Sequence, residues 1–240
     1  MPIRAILWDV DDTLFDYRTA DRAGMSHHLR AEGLAGGFPS ADQALDRWRE
    51  VTALHWERFS AGETDWQGQR RDRVRSFTGH ASLSDADADG WFDRYLVHYE
   101  AAWSLFPDAL PVLDALAGEY RHAVLTNASI QVQDRKLRTL GVYDRFEAVL
   151  CGPELGVAKP FAEAFHRGCE ALGLPPGEVL YVGDEPDIDA RGAAEAGLTG
   201  VWLDRAGAGG RPELIRITGL DQLPALLRGD TRFGASSTFG

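Results

Sequence analysis

Five short apolar runs, interleaved with stretches of helical spacing, limit what this 240-residue chain can fold into more than any other feature. The runs are 3–8 (IRAILW), 121–126 (RHAVLT), 147–151 (EAVLC), 179–183 (VLYVG) and 199–203 (TGVWL). They are apolar almost throughout instead of alternating, which is the pattern of strands covered on both faces. Helical patterns occupy 108–118, 129–140, 161–172 and 187–196, and Gly141 and Gly173 halt the second and third. Strands alternating with helices imply repeated βαβ units, so the expected fold class is α/β with a parallel sheet.

The stretch 18–104 interrupts this alternation. It carries Trp48, Trp56, Trp66, Trp91 and Trp103, long amphipathic segments such as ADQALDRWREVTALHWERF, and no convincing strand. We read it as an inserted α-helical bundle, with the tryptophans serving core and interdomain packing. The expected domains are a discontinuous core of 1–17 and 105–228, the helical insert of 18–104, and a small, polar, Gly-rich tail of 229–240 that frays. No internal repeat or low-complexity tract is visible.

Composition narrows the partners. A formal net charge of -12 argues against nucleic acid and anionic membranes, both of which reward basic surfaces. No apolar run approaches the roughly 20 residues needed to span a bilayer. Met1 to Ala5 lacks a basic region leading into an apolar stretch, and Cys151 and Cys169 read as buried thiols, so a cytoplasmic setting is expected. Lys136 and Lys159 are the only lysines in a chain that otherwise relies on arginine.

Ligands of open parallel sheets bind beyond the carboxyl ends of the strands, so the residues just after each run are where chemistry is expected. The first run is followed by Asp9, Asp11, Asp12 and Thr13, and the second ends in Thr126 followed by Asn127. GVAKP, with Lys159, follows the third, and GDEPDID, with Asp184, Asp187 and Asp189, ends the fourth. Converging carboxylates repel unless a cation lies among them, and a hard divalent ion such as Mg²⁺ suits oxygen ligands plus a phosphate oxygen. A carboxylate not fully engaged by the metal is ionised at neutral pH and can attack phosphorus without a base to activate it. Taken singly, Thr126 reads as a helix cap, Asp187 and Asp189 as early helix residues, and Lys159 as surface; their shared strand-end placement favours one site. A lysine in so arginine-rich a chain suggests a position wanting a compact ammonium.

These segments resemble the motifs of the haloacid dehalogenase superfamily, specifically its phosphatases with a helical cap inserted after the first motif. WDVDDTLFD is similar to the first motif, VLTNAS to the second, GVAKP to the third and YVGDEPDIDARGAAEAGL to the fourth. The resemblance implies a Rossmann-like core, Asp9 as nucleophile, and Asp11 as general acid and then base. It implies that Thr126 and Lys159 hold the phosphoryl oxygens with Asn127 beside them, and that the backbone around Asp12 contacts the same group. Mg²⁺ is expected on Asp9, the carbonyl of Asp11, Asp184 and Asp189, with Thr13 orienting the first-motif aspartates. Ile188 and Glu185 depart from the residues common in relatives, so Asp187 could share the role given to Asp189.

Within the superfamily, dehalogenases carry tyrosine where this chain has Asp11, and phosphonate cleavage uses a cap lysine that 18–104 lacks. The expected function is Mg²⁺-dependent hydrolysis of a small phosphorylated metabolite such as a nucleotide, flavin mononucleotide or sugar phosphate, by a monomer or homodimer. A sugar-phosphate mutase and a non-catalytic binding module on the same fold are the alternatives. QRRDRVR, Gln69 to Arg75, reads as a solvated helix face, with a second phosphate or carboxylate as the other reading.

Overall fold

The structure is a computed structural model that describes residues 2–229, the side chain of Ser60 excepted. Apart from Gly229, the tail expected to fray lies outside the described residues. Six strands form one sheet: β1 (Ala5–Trp8), β2 (Arg121–Thr126), β3 (Val149–Cys151), β4 (Val179–Gly183), β5 (Thr199–Leu203) and β6 (Ile215–Ile217). Their order is β3-β2-β1-β4-β5-β6, and every neighbouring pair is parallel. The α/β, Rossmann-like expectation therefore holds, with β1 at the point where the connections turn to either side. Strand β6 was not expected; at three residues, IRI, it is too short for periodicity to register.

Register sets where the functional residues emerge. Trp8 at the end of β1 is level with Val124 of β2 and Val182 of β4, so the turns after these strands open at one edge. The strands are continuous apolar runs because both faces are covered: β1 and β4 are buried along their whole lengths. Leu7, Leu125, Phe165 and Tyr181 belong to one buried cluster on one side of the sheet. Cys151 and Cys169 are buried free thiols, and burial pushes them up to about 12 and about 11, which makes both inert at neutral pH.

The chain divides into two compact units, one formed by residues up to Asp16 and from Ser104 onward, the other by Tyr17–Trp103. Tyr17–Trp103 holds α1 (Tyr17–Ala31), α2 (Ala41–Ser60), α3 (Trp66–Thr78) and α4 (Asp85–Ala101). Ser40, Asp65 and Ser84 cap α2, α3 and α4, their side chains accepting from the N–H groups of Gln43, Gly68 and Asp87. Gly24 of α1 is required where α1 meets α4, since a Cβ there would lie 2.6 Å from the Cα of Tyr99. Trp48 and Trp91 are buried in an aromatic core with Phe77 and Tyr95, whose ring lies 4.9 Å from that of Trp48.

The arginine-rich segment is neither a solvated face nor an open anion site. Arg71 pairs with Asp85 and Asp89, and Arg75 with Asp72 and Asp85. Arg70 stacks on Phe92 at 4.1 Å and Arg73 on Trp48 at 4.7 Å, so the cluster fastens α3 to α4 and α2. Individually such surface pairs contribute little, but together with the stacked arginines they join α3 to its neighbours.

In the other unit, α5 (Ala109–Leu116), α6 (Ile130–Thr139), α7 (Gly152–Leu155) and α8 (Ala162–Leu172) precede β4. A π-helical turn, Pro186–Arg191, leads into α9 (Gly192–Glu195), and α10 (Leu223–Leu227) follows β6. No helix among the described residues is long and apolar enough to cross a membrane.

His28 makes the helical unit sensitive to acid. It is fully buried, 4.2 Å from the Trp91 ring, and neither ring nitrogen has a hydrogen-bond partner among the described residues. Burial pushes it down to about 4, with His98 and Arg94 adding to the shift and Glu32 opposing it. The folded state thus binds fewer protons than the unfolded chain between pH 4 and 6.5, so stability is complete above that window and lost as the pH falls through it. Moving from pH 7 to pH 5 is expected to cost about 2 kcal/mol at this group. His28→Phe should flatten the fall in melting temperature over that range, and an unchanged slope would assign the acid sensitivity elsewhere.

Candidate active site at the carboxyl edge of the sheet

The turn after β1 folds on itself because one carbonyl collects three donors. The Val10 oxygen accepts from the N–H groups of Thr13 (3.3 Å), Leu14 (3.0 Å) and Phe15 (2.9 Å). Closing this turn puts Asp12 in the left-handed region at φ 58°, a conformation that aspartate tolerates better than most residues. Asp9 continues the sheet, its N–H donating to Val182 at 3.0 Å, and its side chain is buried.

Lys159 supplies the cation. Its ammonium donates to Asp9 Oδ1 (2.8 Å), Asp189 Oδ1 (2.7 Å) and the Tyr181 hydroxyl (2.7 Å), which uses all three of its protons. The Tyr181 hydroxyl in turn donates to the Leu125 carbonyl at 2.9 Å. Asn127 brackets the backbone of Lys159: its Nδ2 donates to the Lys159 carbonyl (3.0 Å) and its Oδ1 accepts from the Lys159 N–H (2.9 Å). Asn127, expected beside the phosphoryl group, anchors the lysine-bearing loop through this reciprocal pairing.

Asp189 reaches the cluster across the end of β4. Its Oδ2 accepts from the Glu185 N–H at 3.0 Å, so the backbone at Glu185 provides the contact and no hydroxyl side chain is needed there. Gly183 is required beneath it, since a Cβ at that position would fall 2.3 Å from Asp189 Oδ2. Asp187 does not share this role. It points to solvent, where Arg211 grips both its oxygens (2.6 and 3.1 Å) and Arg191 pairs at 2.7 Å.

Asp11 is held by α6. Lys136 of α6 pairs with its Oδ1, and Gln133 donates to its Oδ2 at 2.8 Å. Sequence reasoning missed both residues; the scarcity of lysine was the available signal for the first, and nothing marked the second. Thr126 is buried, and its hydroxyl accepts from the Ala128 N–H at 3.2 Å, with Gln133 Nε2 3.4 Å away. The Thr13 hydroxyl is buried with no hydrogen-bond partner among the described residues, and the Thr13 carbonyl accepts from Arg205 at 2.9 Å. The Asp12 N–H donates to the Phe15 carbonyl at 2.8 Å.

Carboxylate oxygens of Asp9, Asp184 and Asp189 lie within 4.8 Å of one another. Burial, reinforced by Asp9 and Asp189, pushes Asp184 up to about 9. Asp9 is pushed up to about 7 by burial and by Asp189, against the pull of Lys159. Lys159 is itself held above its ordinary value: burial works against its charge, but Asp189 and Asp9 outweigh it. Three acidic groups share one resident cation, so this cluster of hard oxygen donors fits a divalent ion such as Mg²⁺.

The chain belongs to the haloacid dehalogenase-like hydrolase family, whose pattern matches residues 3–197. It is similar to the phosphoserine phosphatase of Thermus thermophilus, 32% identical over 88% of this chain and 91% of that one. It also resembles the N-acylneuraminate-9-phosphatase of Rattus norvegicus, 26% identical over 94% of each. Among solved structures, the HAD-hydrolase YfnB from Bacillus subtilis, bound to magnesium, shares the fold with a TM-score of 0.75 and 22% identity over 95% of this chain and 99% of that one. Haloacid dehalogenases share the fold too, so the architecture alone does not choose between the two chemistries.

The crowding can be measured. With divalent ions chelated, Asp184→Asn replaces a buried carboxyl that the folded state holds protonated at pH 8, where the unfolded chain would ionise it, and its melting temperature at that pH is expected to exceed that of the wild type. Gly183→Ala should do the reverse by displacing Asp189. A lower melting temperature for Asp184→Asn would show that the carboxylates are not in conflict.

Proposed function

We propose that this protein is a Mg²⁺-dependent phosphatase of small phosphomonoesters that works through an aspartyl-phosphate intermediate. The observation carrying this reading is the convergence of Asp9, Asp184 and Asp189 around Lys159, with Asp11 on the same turn as Asp9. Asp9 attacks phosphorus, and the bond from phosphorus to the leaving oxygen breaks as Asp11 gives that oxygen a proton. Water then attacks the aspartyl phosphate, Asp11 takes the proton, and inorganic phosphate departs with the carboxylate of Asp9 restored. The Thr126 hydroxyl, whose proton is free of the contacts it accepts, steadies a phosphoryl oxygen, and the Lys159 ammonium, whose protons go to Asp9, Asp189 and Tyr181, adds its positive charge beside the same group. Asp9, Asp184 and Asp189, with the carbonyl of Asp11, would hold the Mg²⁺, which supplies charge neutralisation for the phosphoryl group when bound.

Asp11 also bears on the dehalogenase reading, since dehalogenases of this superfamily carry tyrosine there. The part proposed for the helical unit is the choice among nucleotides, flavin mononucleotide and sugar phosphates. The names of the relatives add phosphoserine and an acylated sugar-acid phosphate to the panel worth testing.

Hydrolysis of p-nitrophenyl phosphate should require Mg²⁺ and stop on addition of EDTA. Asp9→Asn should fall to background while remaining folded, and Asp11→Asn should lower kcat about 10²–10⁴-fold. Lys159→Arg should be poor despite its charge, because a planar fork cannot reproduce three convergent bonds. Absence of metal-dependent release from the wild type would favour a binding module. A phosphomonoester panel read as kcat/KM then identifies the leaving group.

A further inference from the structure

Lys136 is the largest polar group in the core that the proposed chemistry does not use. It is 1% exposed on α6, and an ammonium is buried so completely only where something specific compensates its charge. That compensation is Asp11 Oδ1, to which it is paired, together with the face of Phe15, 4.3 Å from the ammonium. One helical turn earlier, Gln133 is also fully buried and donates to the other oxygen of Asp11. Residues three apart on a helix share a face, so α6 presents both donors to one carboxylate.

Resting on the phosphatase reading, we infer that Lys136 and Gln133 are positioning residues that aim Asp11 at the leaving-group oxygen. Each carboxylate oxygen has two acceptor directions. One donor per oxygen therefore fixes the plane of Asp11 and leaves a second direction on each for the leaving group or the attacking water. An arginine in place of Lys136 would clamp both oxygens in a bidentate fork and leave less of the group available. The arrangement explains the lysine usage of the chain: its two lysines are each buried on one of the two aspartates proposed to react, Lys159 on Asp9 and Lys136 on Asp11. Gln133 adds a link to the phosphate side, since its Nε2 lies 3.4 Å from the Thr126 hydroxyl.

A residue that merely stabilises the fold would affect all substrates alike, whereas one that aims a proton donor matters most when the leaving group needs the proton. Phenyl phosphate and p-nitrophenyl phosphate separate these cases: phenol, with a pKa of about 10 like a tyrosine side chain, leaves poorly unprotonated, and p-nitrophenol is far more acidic. With Mg²⁺ present, Lys136→Met is expected to lose about tenfold more kcat on phenyl phosphate than on p-nitrophenyl phosphate, with KM within about twofold for both. Gln133→Leu should shift the ratio in the same direction by less, and Asp11→Asn by more. Gln133→Leu removes only a neutral contact, so it decides the matter if Lys136→Met does not fold, as read by circular dichroism. Equal losses on the two substrates would overturn the positioning role while leaving the phosphatase reading standing. No metal-dependent release by the wild type from either substrate would overturn both.

Discussion

The ammonium of Lys159, in contact with two carboxylates and a phenol away from water, ties together residues that the parallel register brings to one edge from four strand ends. Asp9 comes from the end of β1, and Asp189 and Tyr181 from beyond and within β4. The lysine arrives on the loop after β3, at the far side of β2 from β1, and its backbone is fixed by Asn127 just after β2. Removing one partner from a buried ionic group of this kind typically costs about 3–5 kcal/mol, because the remaining charge stays behind without compensation. The strand order and register are thus coupled to the charge pattern. A sheet with β1 and β4 slipped by one residue would separate Asp9 from Asp189 and leave Lys159 buried beside only one of them.

A second tier of contacts holds the turn after β1 in place. The chain leaving this unit at Asp16 and returning at Ser104 pairs with itself, through Asp16 N–H to the Ser104 carbonyl (3.0 Å) and Phe106 N–H to the Leu14 carbonyl (2.9 Å). Arg205 stacks on Phe106 at 3.7 Å, pairs with Asp108 and donates to the Thr13 carbonyl. The segment from Ser104 is therefore tied back to the end of the turn that carries Asp11.

Strand-end chemistry was legible because the code is local: an apolar run says strand, and the polar residues after it must stand at the sheet edge. Asp9, Thr126, Lys159 and Asp184 could be named from that alone. What could not be read depends on direction and on tertiary partners. Asp187 and Asp189 follow the same strand two residues apart, yet the π-helical turn Pro186–Arg191 sends one to Arg211 and the other over Gly183. Lys136 sits in a helix whose pattern shows an amphipathic face but not that its ammonium lies under a turn more than a hundred residues away. The arginines of α3 look solvated in sequence because their acidic partners belong to α4.

Stability and chemistry pull in opposite directions at the sheet edge. An amide at Asp184 would remove a carboxyl that burial, reinforced by Asp9 and Asp189, pushes up to about 9, and an apolar pair in place of Lys136 and Asp11 would avoid burying an ammonium. Neither change would disturb the strands, so the fold itself does not require these charges. In the proposed reaction they answer opposed demands: Asp9 is ionised to attack, Asp11 is aimed yet keeps acceptor directions open, and the phosphoryl group brings further negative charge. Lysine meets the first two because an ammonium adds one full charge with three small, separately directed donors, where arginine imposes a plane. The third demand exceeds what Lys159 can compensate, since its three protons are already engaged. In the proposed reaction the additional positive charge is that of a divalent ion, and the carboxylates of Asp9, Asp184 and Asp189 form a cluster of hard oxygen donors that fits one.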